Sequence, residues 1–439
     1  MTATSPRPLL VVGAGIAGVT TALEAAEAGQ EVVLLEREPS IGGRVLRNHQ
    51  YFPKLCPPAC GMEINGRRLT KNALVRVLTR SELTSAERSG AGWRVTVRRR
   101  AEHVTSACTA CGDCSKACPA TVADPFNLGM SRVPVVRMPH VDAWPRRHVM
   151  DRAACPAGCR ACVDACKVPG AIDLEAKDQD EQIDVSAVVI ATGWTPYPLE
   201  KLTELGGGRF PDVIANVQME RLAAPSGPTG GKIVKPSDGT PPKRVAFVQC
   251  AGSRDVKHLP YCSAVCCLAS TKQALYVKEQ YPDAEVTIYF IDRRTPGRNE
   301  AMLPRAEAAG VRFVKGKVGT VDRSPSGGLL LHVEDVDAGR ILQAEADLVV
   351  LATGMVPGGN GDVPLPVLRD GDGFALDDRT TNVFAVGVAR RPEDVAASVR
   401  DATGAAAKAI GAARSAGGVA PSARDAGAAA QAAGAARSV

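Results

Sequence analysis

Hydrophobic residues at the start of the chain form two short continuous runs with a helical stretch between them. The first run is Leu9–Val12, and a glycine-rich segment follows it. Residues 19–28 have a helical pattern, and the second run, Val32–Leu35, ends at Glu36. This order of strand, helix and strand predicts a βαβ unit at the start of an α/β fold.

A later strand pattern is interrupted by a cysteine-rich segment. Trp93, Val95 and Val97 alternate with polar residues over positions 92–100, which predicts a strand. Cysteine-rich sequence then runs from 105 to 180, and strand character resumes at residues 185–190. We therefore expect an insertion into a sheet of the first domain.

The second half of the chain repeats the strand–helix–strand order. Residues 245–248 predict a strand, 263–280 a helix and 286–291 a second strand, which ends at Asp292. Further strands are expected at 311–314, 329–333, 348–352 and 383–386, with a closing helix at 393–413.

The first apolar run leads into Gly13, Gly15 and Gly18, which form a G-x-G-x-x-G loop around Ile16 and Ala17. The first glycine permits the turn, the second lets a pyrophosphate approach, and the third lets the helix pack on the strand. The start of the helix then faces the phosphates. Glu36, with Arg37 beside it, lies where an acid would bind a ribose hydroxyl.

Several short motifs resemble those of two-dinucleotide-binding flavoproteins. They are the second glycine pair Gly42-Gly43-Arg44, the strand ends Ala191-Thr192-Gly193 and Ala352-Thr353-Gly354, and the C-terminal run that ends at Gly387. Val388 departs from that pattern, because an Asp usually follows this glycine. The resemblance implies bound FAD and an α/β fold like that of thioredoxin or glutathione reductase. It also implies that the closing helix, from Val395 and Ala396, aims its dipole at the flavin pyrimidine and stabilises the reduced, anionic form.

These patterns divide the chain into seven segments. The expected segments are an FAD-binding domain in three parts (1–104, 181–200 and 346–414), an inserted ferredoxin-like domain with two [4Fe–4S] clusters (105–180), a Gly/Pro-rich linker with one short helix (201–242), a second Rossmann-like domain (243–345) and a disordered tail (415–439).

The most specific pattern is a run of closely spaced cysteines in the insertion. Cys108-x2-Cys111-x2-Cys114-x3-Cys118-Pro119 is a two-cluster ferredoxin run, whose last cysteine serves the other cluster. A second run is Cys155-x3-Cys159-x2-Cys162-x3-Cys166. Exchange of the fourth ligands gives one cluster on Cys108, Cys111, Cys114 and Cys166, and another on Cys155, Cys159, Cys162 and Cys118. Zinc is the alternative for four thiolates, but the C-x2-C-x2-C spacing followed by Cys-Pro favours iron–sulfur.

A third cysteine group lies in the second unit. It consists of Cys250, at a strand end, and of Cys262, Cys266 and Cys267, around the start of a helix. We expect a third cluster with at least three of these as ligands, and the alternative is a set of inert buried thiols. Adjacent Cys266 and Cys267 point in different directions, so the sequence does not decide between them.

Cys56 and Cys60 follow the second glycine pair in Cys-Pro-Pro-Ala-Cys. A redox dithiol near the flavin, ligands to a further cluster, a sulfur-handling pair and purely structural cysteines all stay open. The two prolines stiffen the loop, which disfavours a readily closed disulfide.

The second βαβ unit has no glycine fingerprint where a pyridine-nucleotide flavoprotein would carry one. The segment from Cys250 to Cys262 takes its place, and without the glycines a backbone cannot receive a pyrophosphate closely. We therefore expect electrons to arrive through iron–sulfur centres and not as hydride. Lys272, on the same helix, is either a cation that tunes the flavin or a solvated helix lysine. The histidines are scattered, and we assign none to metal.

Composition agrees with this assignment. The 439 residues are sufficient for two to four domains of roughly 100–200 residues each. The net charge is +6, from 53 Lys and Arg against 47 Asp and Glu, and three clusters at about −2 each would offset it. Few aromatic residues lie among the basic residues, which argues against a nucleic-acid-binding surface. No apolar run approaches the roughly 20 residues of a membrane span, so we expect a cytoplasmic protein.

Together these motifs resemble the A-subunit family of heterodisulfide reductases. The specific block is Val-Gln-Cys-Ala-Gly-Ser-Arg-Asp at 248–255 with Tyr-Cys-Ser-x-Val-Cys-Cys at 261–267, and Lys272 matches the lysine that the family places by its flavin. The segment 52–65 and the insertion look most similar to the A subunit of the quinone-interacting membrane-bound oxidoreductase. The chain lacks the N-terminal extension and C-terminal ferredoxin unit of methanogen forms, which argues against electron bifurcation.

The resemblance implies a homodimeric core within a larger complex, held at the membrane by partner subunits. Its electrons would pass between a menaquinone-linked partner and adenylylsulfate reductase. The A subunit of a heterodisulfide-reductase-like sulfur-oxidation complex is one alternative. A free-standing NAD(P)H-dependent disulfide reductase that uses Cys56 and Cys60 is another, and a scaffold protein with purely structural clusters is a third.

Overall fold

The computed structural model describes residues 7–52, 54–359 and 363–416. The strands are β1 (Leu9–Val12), β2 (Val32–Leu35), β3 (Val75–Leu78), β4 (Ser81–Ser89), β5 (Gly92–Arg99), β6 (Thr121–Ala123), β7 (Arg132–Pro134), β8 (Val136–Arg137), β9 (Val149–Met150), β10 (Gln179–Val185), β11 (Ala187–Ile190), β12 (Trp194–Pro196), β13 (Val213–Ala215), β14 (Arg244–Ala251), β15 (Glu285–Phe290), β16 (Val311–Arg323), β17 (Leu329–Asp335), β18 (Arg340–Ala346), β19 (Leu348–Thr353), β20 (Met355–Pro357) and β21 (Val383–Ala385). The α-helices are α1 (Ile16–Glu27), α2 (Ala59–Lys71), α3 (Asp113–Lys116), α4 (Ala161–Ala165), α5 (Asn216–Ala223), α6 (Cys266–Gln280), α7 (Met302–Ala308) and α8 (Val395–Ala416).

A five-stranded parallel sheet in the order β21-β11-β1-β2-β3 forms the first unit. Strands β1, β2 and β11 are buried along their whole length, because helices cover one face and the β4-β5-β10 meander covers the other. Helices α1 and α8 pack against each other through alanines, which let two helix backbones approach closely. The carboxyl ends of these strands all open at one edge of the sheet.

The cysteine-rich segment leaves and re-enters the chain between two paired strands. Strands β5 and β10 are antiparallel neighbours, with Arg99 opposite Gln179 and Trp93 opposite Val185. Residues 100–178 therefore form an excursion whose two ends lie side by side. It contains α3, α4 and two small antiparallel pairs, β6-β7 and β8-β9.

The second unit is a seven-stranded sheet in the order β13-β19-β14-β15-β16-β17-β18. Strands β14 and β15 are parallel and, with α6 between them, form a second βαβ unit. Strand β16 continues to Arg323, well beyond the expected end at 314, because its second half pairs with β17 in an antiparallel extension.

Residues 201–242 differ from the linker that the sequence predicts. They contain β13, which pairs in parallel with β19, and α5, which packs beside α6. The segment is therefore part of the second sheet unit, and its Gly and Pro residues lie in the turns around these elements. Helix α2 was not predicted, since Pro57 and Pro58 suggest a stiff loop, yet proline is well suited to the start of a helix. Of the predicted disordered tail, Ser415 and Ala416 belong to α8, and residues 417–439 lie outside the described part of the chain.

Candidate functional site

The first glycine loop has the close contacts that its spacing predicts. Gly13 has a φ of +103°, and a Cβ on Gly18 would lie 1.8 Å from the Gly13 carbonyl oxygen. Gly15 precedes the first residue of α1, and a Cβ built on it would meet only one atom within 4 Å. Gly13 and Gly18 therefore hold strand and helix together, while Gly15 leaves open space at the helix N-terminus.

The acid at the end of β2 is fixed by this loop. Glu36 is buried, and its two carboxylate oxygens accept hydrogen bonds from the backbone N–H groups of Ala14 at 2.7 Å and Glu38 at 2.9 Å. Burial raises the pKa of the Glu36 carboxyl, although these two hydrogen bonds act in the opposite direction. The carboxylate is thus held at the edge of the sheet, where a ribose would lie.

The second glycine pair packs directly on the first loop. The Gly42 N–H donates to the Ala14 carbonyl at 2.7 Å, and a Cβ on Gly43 would lie 2.9 Å from the Gly15 Cα. Arg44 follows, with its guanidinium 4.5 Å from the centre of the Trp194 ring. Burial lowers the pKa of Arg44 to about 10, and its buried Nε has no hydrogen-bond partner among the described residues. These residues fit a cofactor that carries phosphates, since an anion would satisfy this nitrogen.

A cavity of about 1100 Å³ connects these elements. Of the residues that the sequence assigns to the cofactor, the cavity is lined by Gly13, Gly15, Ile16, Ala17, Glu36, Arg37, Gly43, Arg44, Ala191, Thr192, Gly193, Val395 and Lys272. Five others lie behind its wall: Gly18, Gly42, Gly354, Gly387 and Ala396. Their role is in packing: a Cβ on Gly387, for example, would lie 2.8 Å from the Ala17 Cβ.

The order of the strands gives the cavity a direction. A dinucleotide bound at the glycine loop would have its ribose at Glu36 on β2 and its phosphates at β1. The flavin end of the cavity would therefore lie beyond β1, at β11 and β21, where Thr192, Val388 and Val395 line it. Val388 does not supply the carboxylate that the flavoprotein pattern usually has, and the Gly387 N–H instead donates to Asp401 of α8 at 2.9 Å.

Lys272 is buried and is not the solvated helix lysine that the sequence allows as an alternative. Its ammonium lines the cavity and lies 3.0 Å from the Glu220 carboxylate of α5. It also donates to the Gln50 carbonyl at 2.5 Å, so that it joins the two sheet units. Sequence reasoning missed Glu220, because it belongs to the segment predicted to be a linker.

The first predicted set of ferredoxin cysteines surrounds one small cavity. Cys108, Cys111, Cys114 and Cys166 all line it, together with His148. Burial raises the pKa of the Cys114 thiol to about 11, and negative charge on Cys108, Cys166 and Cys111 acts in the same direction. Such thiols remain protonated at neutral pH unless a metal replaces the proton, as it does in coordinated thiolates. The set fits a cluster, and His148, which has its Nδ1 3.9 Å from the Cys108 Sγ, was not predicted.

The second predicted set, Cys155, Cys159, Cys162 and Cys118, does not line the small cavity that the first set surrounds. Burial raises the pKa of the Cys162 thiol, and the charges of Cys155 and Cys159 raise it further. Cys118 packs against the same hydrophobic cluster as Cys155 and Cys162, and Cys108 and Cys114 of the first set belong to this cluster too. Cysteines of both sets therefore lie in one region of the insertion.

The third group converges around the start of α6. Burial raises the pKa of the Cys266 thiol, and charge on Cys250, Cys267 and Cys262 contributes to the increase. Cys266 and Cys267 are the first two residues of α6, where the helix dipole favours thiolate. The Cys267 thiol is also 3.3 Å from the Asp292 carbonyl oxygen.

The same type of backbone turn occurs in the third cysteine group and in the ferredoxin insertion. Ala110 follows Cys108 by two residues, has a φ of +59° and donates its N–H to the Cys108 Sγ at 3.4 Å. Ala264 has the same relation to Cys262, with a φ of +61° and the same N–H to sulfur distance of 3.4 Å. An N–H aimed at sulfur stabilises thiolate, so this turn is suited to a cluster ligand in both places.

Cys56 and Cys60 lie beside the cavity and do not line it. Tyr51 lines the cavity, and its backbone pairs with that of Cys56. Burial raises the pKa of the Tyr51 hydroxyl, and Cys56 and Cys60 contribute to the increase. Cys60, in the first turn of α2, is exposed, and both thiols are free.

The described residues show neither a mononuclear metal site nor a membrane-spanning helix. No three Cys, His, Asp or Glu side chains in 7–52, 54–359 and 363–416 converge closely enough to hold a single metal ion. In the same part of the chain, no helix combines the length and the apolar character needed to cross a membrane.

Comparison with known proteins identifies the family. A model of FAD dependent oxidoreductases matches residues 9–57. The chain is 34% identical over 413 residues to the A subunit of the H(2):CoB-CoM heterodisulfide,ferredoxin reductase of Methanothermobacter thermautotrophicus, covering 90% of this chain and 62% of the relative. One of the iron-sulfur A subunits of the CoB–CoM heterodisulfide reductase of Methanopyrus kandleri is also 34% identical over 413 residues, with 90% and 63% coverage.

The fold also matches solved structures. The thioredoxin reductase of T. acidophilum superposes with a TM-score of 0.51 at 14% identity, covering 92% of this chain and 98% of that one. The curated relatives are longer, and the chain spans 51–65% of their length. The chain therefore has the two-dinucleotide-binding α/β fold of an FAD oxidoreductase, and over that span it belongs to the A-subunit family of heterodisulfide reductases.

Proposed function

We propose that this protein is an electron-transfer subunit that contains FAD and iron–sulfur clusters. The observation that carries the proposal is that one helix serves both the cavity and the third cysteine group. Cys266 and Cys267 begin α6, while Val265, Ala269 and Lys272, around the same helix start, line the flavin end of the cavity. A cluster held there would lie next to the flavin, so electrons could pass between them one at a time.

The second βαβ unit supports a route without nicotinamide. Cys250 lies near the end of β14 and Cys266 begins α6, so thiols lie where a dinucleotide-binding unit would receive phosphates. A Cβ on Gly252 would lie 2.9 Å from the Tyr197 ring, so a side chain already fills the space above this loop. We infer that electrons reach the flavin through clusters.

Each part of the chain then has a distinct task. FAD supplies the conversion between two-electron and one-electron transfer. The glycine loop and the start of α1 bind its phosphates, Glu36 binds its ribose, and the Lys272–Glu220 pair contacts the flavin end. The two [4Fe–4S] clusters of the insertion and the third on Cys250, Cys262, Cys266 and Cys267 carry electrons to partners. No side chain is needed as a nucleophile, or as a catalytic acid or base that acts on a substrate.

The wider role that we propose is in dissimilatory sulfur metabolism. The family resemblance and the names of the heterodisulfide reductase relatives support membership in a multi-subunit complex. We propose a homodimeric core, cytoplasmic and peripheral to the membrane through its partners, that links a menaquinone-dependent partner to adenylylsulfate reductase. The alternative is the A subunit of a heterodisulfide-reductase-like sulfur-oxidation complex. Turnover of the purified complex with a menaquinol donor or with a reduced sulfur compound as donor distinguishes the two.

Cofactor analysis tests the central proposal. Anaerobically purified protein is expected to contain one FAD and about twelve Fe, from three four-iron sites. Cys262→Ser is expected to lower the iron content to about eight while the ferredoxin signals in the EPR spectrum persist. Cys60→Ser is the matched control and keeps all the iron. About eight Fe in the unmodified chain, or zinc in the insertion, would contradict the proposal.

A second candidate function uses the other cysteine pair. Cys56 and Cys60 contact Tyr51, which lines the cavity, and this favours a free-standing NAD(P)H-dependent disulfide reductase. In that case NADH would bleach the flavin of the purified protein rapidly, and Cys56→Ser would abolish disulfide reduction. We expect no bleaching by NADH, with dithionite reduction as the positive control.

A further inference from the structure

A buried carboxyl group lies at the flavin end of the cavity. Glu393 is two residues before the start of α8, lines the cavity and has a side chain that is only 4% exposed. Its Oε2 accepts a hydrogen bond from the Arg391 Nε at 3.2 Å, but its buried Oε1 has no hydrogen-bond partner among the residues that the structure describes. A buried polar atom without a partner is costly, so a ligand in the cavity is expected to satisfy it.

The position of Glu393 points to the flavin and not to the adenosine. Glu36 fixes the ribose end at β2, and Glu393 follows β21 at the opposite side of the sheet. Val386 and Val388, which flank the turn after β21, line the cavity together with Glu393 and Ser398. A dinucleotide that crosses the strand ends from β2 would therefore reach Glu393 with its isoalloxazine.

Burial favours the protonated form of Glu393. Burial raises the pKa of its carboxyl, and the charge of the neighbouring Asp401 acts in the same direction, whereas the Ser398 side chain and the charge and hydrogen bond of Arg391 lower it. The cation in direct contact with it is Arg391, whose side chain is 55% exposed and therefore well solvated. Arg390 is engaged with Asp401 at 2.9 Å, and the Asp394 carboxylate is used as a helix cap, since it accepts the Ala397 N–H at 2.7 Å.

The carboxyl groups also oppose the helix dipole. The sequence predicts that the start of α8 stabilises an anionic reduced flavin, but two acidic residues, Glu393 and Asp394, precede its first residue. The Asp394 carboxylate offsets part of the positive end of the dipole, and Glu393 adds to this only when it is ionised. A carboxyl that is protonated can instead donate a hydrogen bond or a proton to an acceptor in the cavity.

We propose that Glu393 is a flavin-facing acid that supplies a proton when the flavin is reduced. Two electrons from the iron–sulfur clusters and two protons convert oxidised flavin to its neutral reduced form. One proton comes from solvent and the other from Glu393, which is then reprotonated by solvent. On oxidation both protons return to solvent. The inference rests on the proposed FAD site and adds a residue that makes electron transfer proton-coupled.

Redox-difference infrared spectroscopy and potentiometry of the full holoprotein test this role. The carbonyl band of a protonated carboxylic acid is expected to respond to flavin reduction in the unmodified protein and to be absent in Glu393→Gln. In the same titrations, the flavin midpoint potential of the unmodified protein should fall as the pH rises, with the slope expected when two protons accompany two electrons. Glu393→Gln should keep this slope at equilibrium, but its flavin should be reduced more slowly in stopped-flow measurements, because the proton donor beside the flavin is missing. An unchanged rate of reduction would contradict the role.

Glu285→Gln is the control, since Glu285 is an exposed residue at the start of β15. It should retain both the band and the slope. If Glu393→Gln fails to bind FAD, the unmodified protein alone still decides: a slope of one proton per two electrons, or no acid band, overturns the inference. An absence of FAD or of cluster iron in the unmodified protein would instead contradict the proposed function.

Discussion

The ammonium of Lys272 and the carboxylate of Glu220 lie 3.0 Å apart, and each side chain is only 5% exposed. The two residues come from α6 and α5, and both line the cavity. Glu220 also accepts hydrogen bonds from the His49 backbone N–H and from the Gln273 side chain. The pair is therefore a buried, fully connected contact between the flavin end and the third cysteine group.

Removal of either charge alone is expected to destabilise the protein. In Lys272→Met the Glu220 carboxylate loses its cation, and breaking a buried pair costs about 3–5 kcal/mol. The double variant Lys272→Met with Glu220→Gln should recover a large part of this loss. Thermal unfolding followed by flavin fluorescence measures the effect, with Lys243→Met at an exposed position as control. Equal stability of the single and control variants would show that the pair does not form.

Glu36 is expected to control FAD affinity. Glu36→Gln removes the charge that faces the ribose and replaces one acceptor of a backbone N–H by a donor. Loss of a charge-assisted hydrogen bond of about 1.5–3 kcal/mol corresponds to a Kd about 10- to 100-fold larger. Titration of deflavinated protein with FAD measures the change, and Glu31→Gln, at an exposed position nearby, should bind as the unmodified protein does.

If the two clusters of the insertion exchange their fourth ligands, cysteine variants from different runs should lose the same cluster. Cys166 lines the cavity of Cys108, Cys111 and Cys114, although in sequence it belongs to the second run. Cys166→Ser and Cys111→Ser should therefore remove the same EPR signal, and each should lower the iron content by about four. Cys159→Ser should remove the other signal. If Cys166→Ser matched Cys159→Ser, the cysteines would be paired within each run.

His140 is expected to make the folded state sensitive to acid. Burial lowers the pKa of its imidazole from 6.5 to about 4, and the charges of Arg47 and Arg221 act in the same direction. Between these two pH values the unfolded chain binds a proton that the folded chain does not. Stability is therefore complete above the unfolded pKa and falls on acidification towards pH 4, by at most about 1.4 kcal/mol per pH unit.

The variant His140→Phe tests this dependence. It keeps the ring stack on Phe126 but cannot be protonated, so the melting temperature should fall less on acidification than in the unmodified protein. His332→Phe, on β17, is the control, because that side chain is 36% exposed. Parallel pH dependence of His140→Phe and the unmodified protein would assign the acid sensitivity to other groups.

Local patterns were sufficient for the parts of the site that lie close together in sequence. The Gly13–Gly18 spacing and the Cys108–Cys118 spacing each predict a turn, because the chemistry needs those residues within one loop. The predictions of the family and of the two-dinucleotide-binding fold are also confirmed. The prediction of a linker at 201–242 is wrong, since its strand β13 has only three residues and gives almost no periodic signal.

Residues brought in from distant segments could not be predicted in the same way. Glu220, His148 and Glu393 reach the site through the packing of α5, the β8-β9 pair and the turn after β21. Nothing in the neighbouring sequence of each residue indicates a cavity. A buried acid or histidine becomes recognisable only when the apolar elements around it are assembled, because its signal is an unmet hydrogen-bonding requirement and not a spacing.

The polypeptide crosses between the two sheet units twice, at β12 and β20, and the two crossings pair with each other. Trp194 lies opposite Pro357 and Pro196 opposite Met355 in an antiparallel ladder. A swivel of one unit against the other would have to break this ladder together with the bond from Lys272 to the Gln50 carbonyl. The tunnelling distance between the isoalloxazine and the metal centre at the start of α6 is therefore expected to stay constant during turnover.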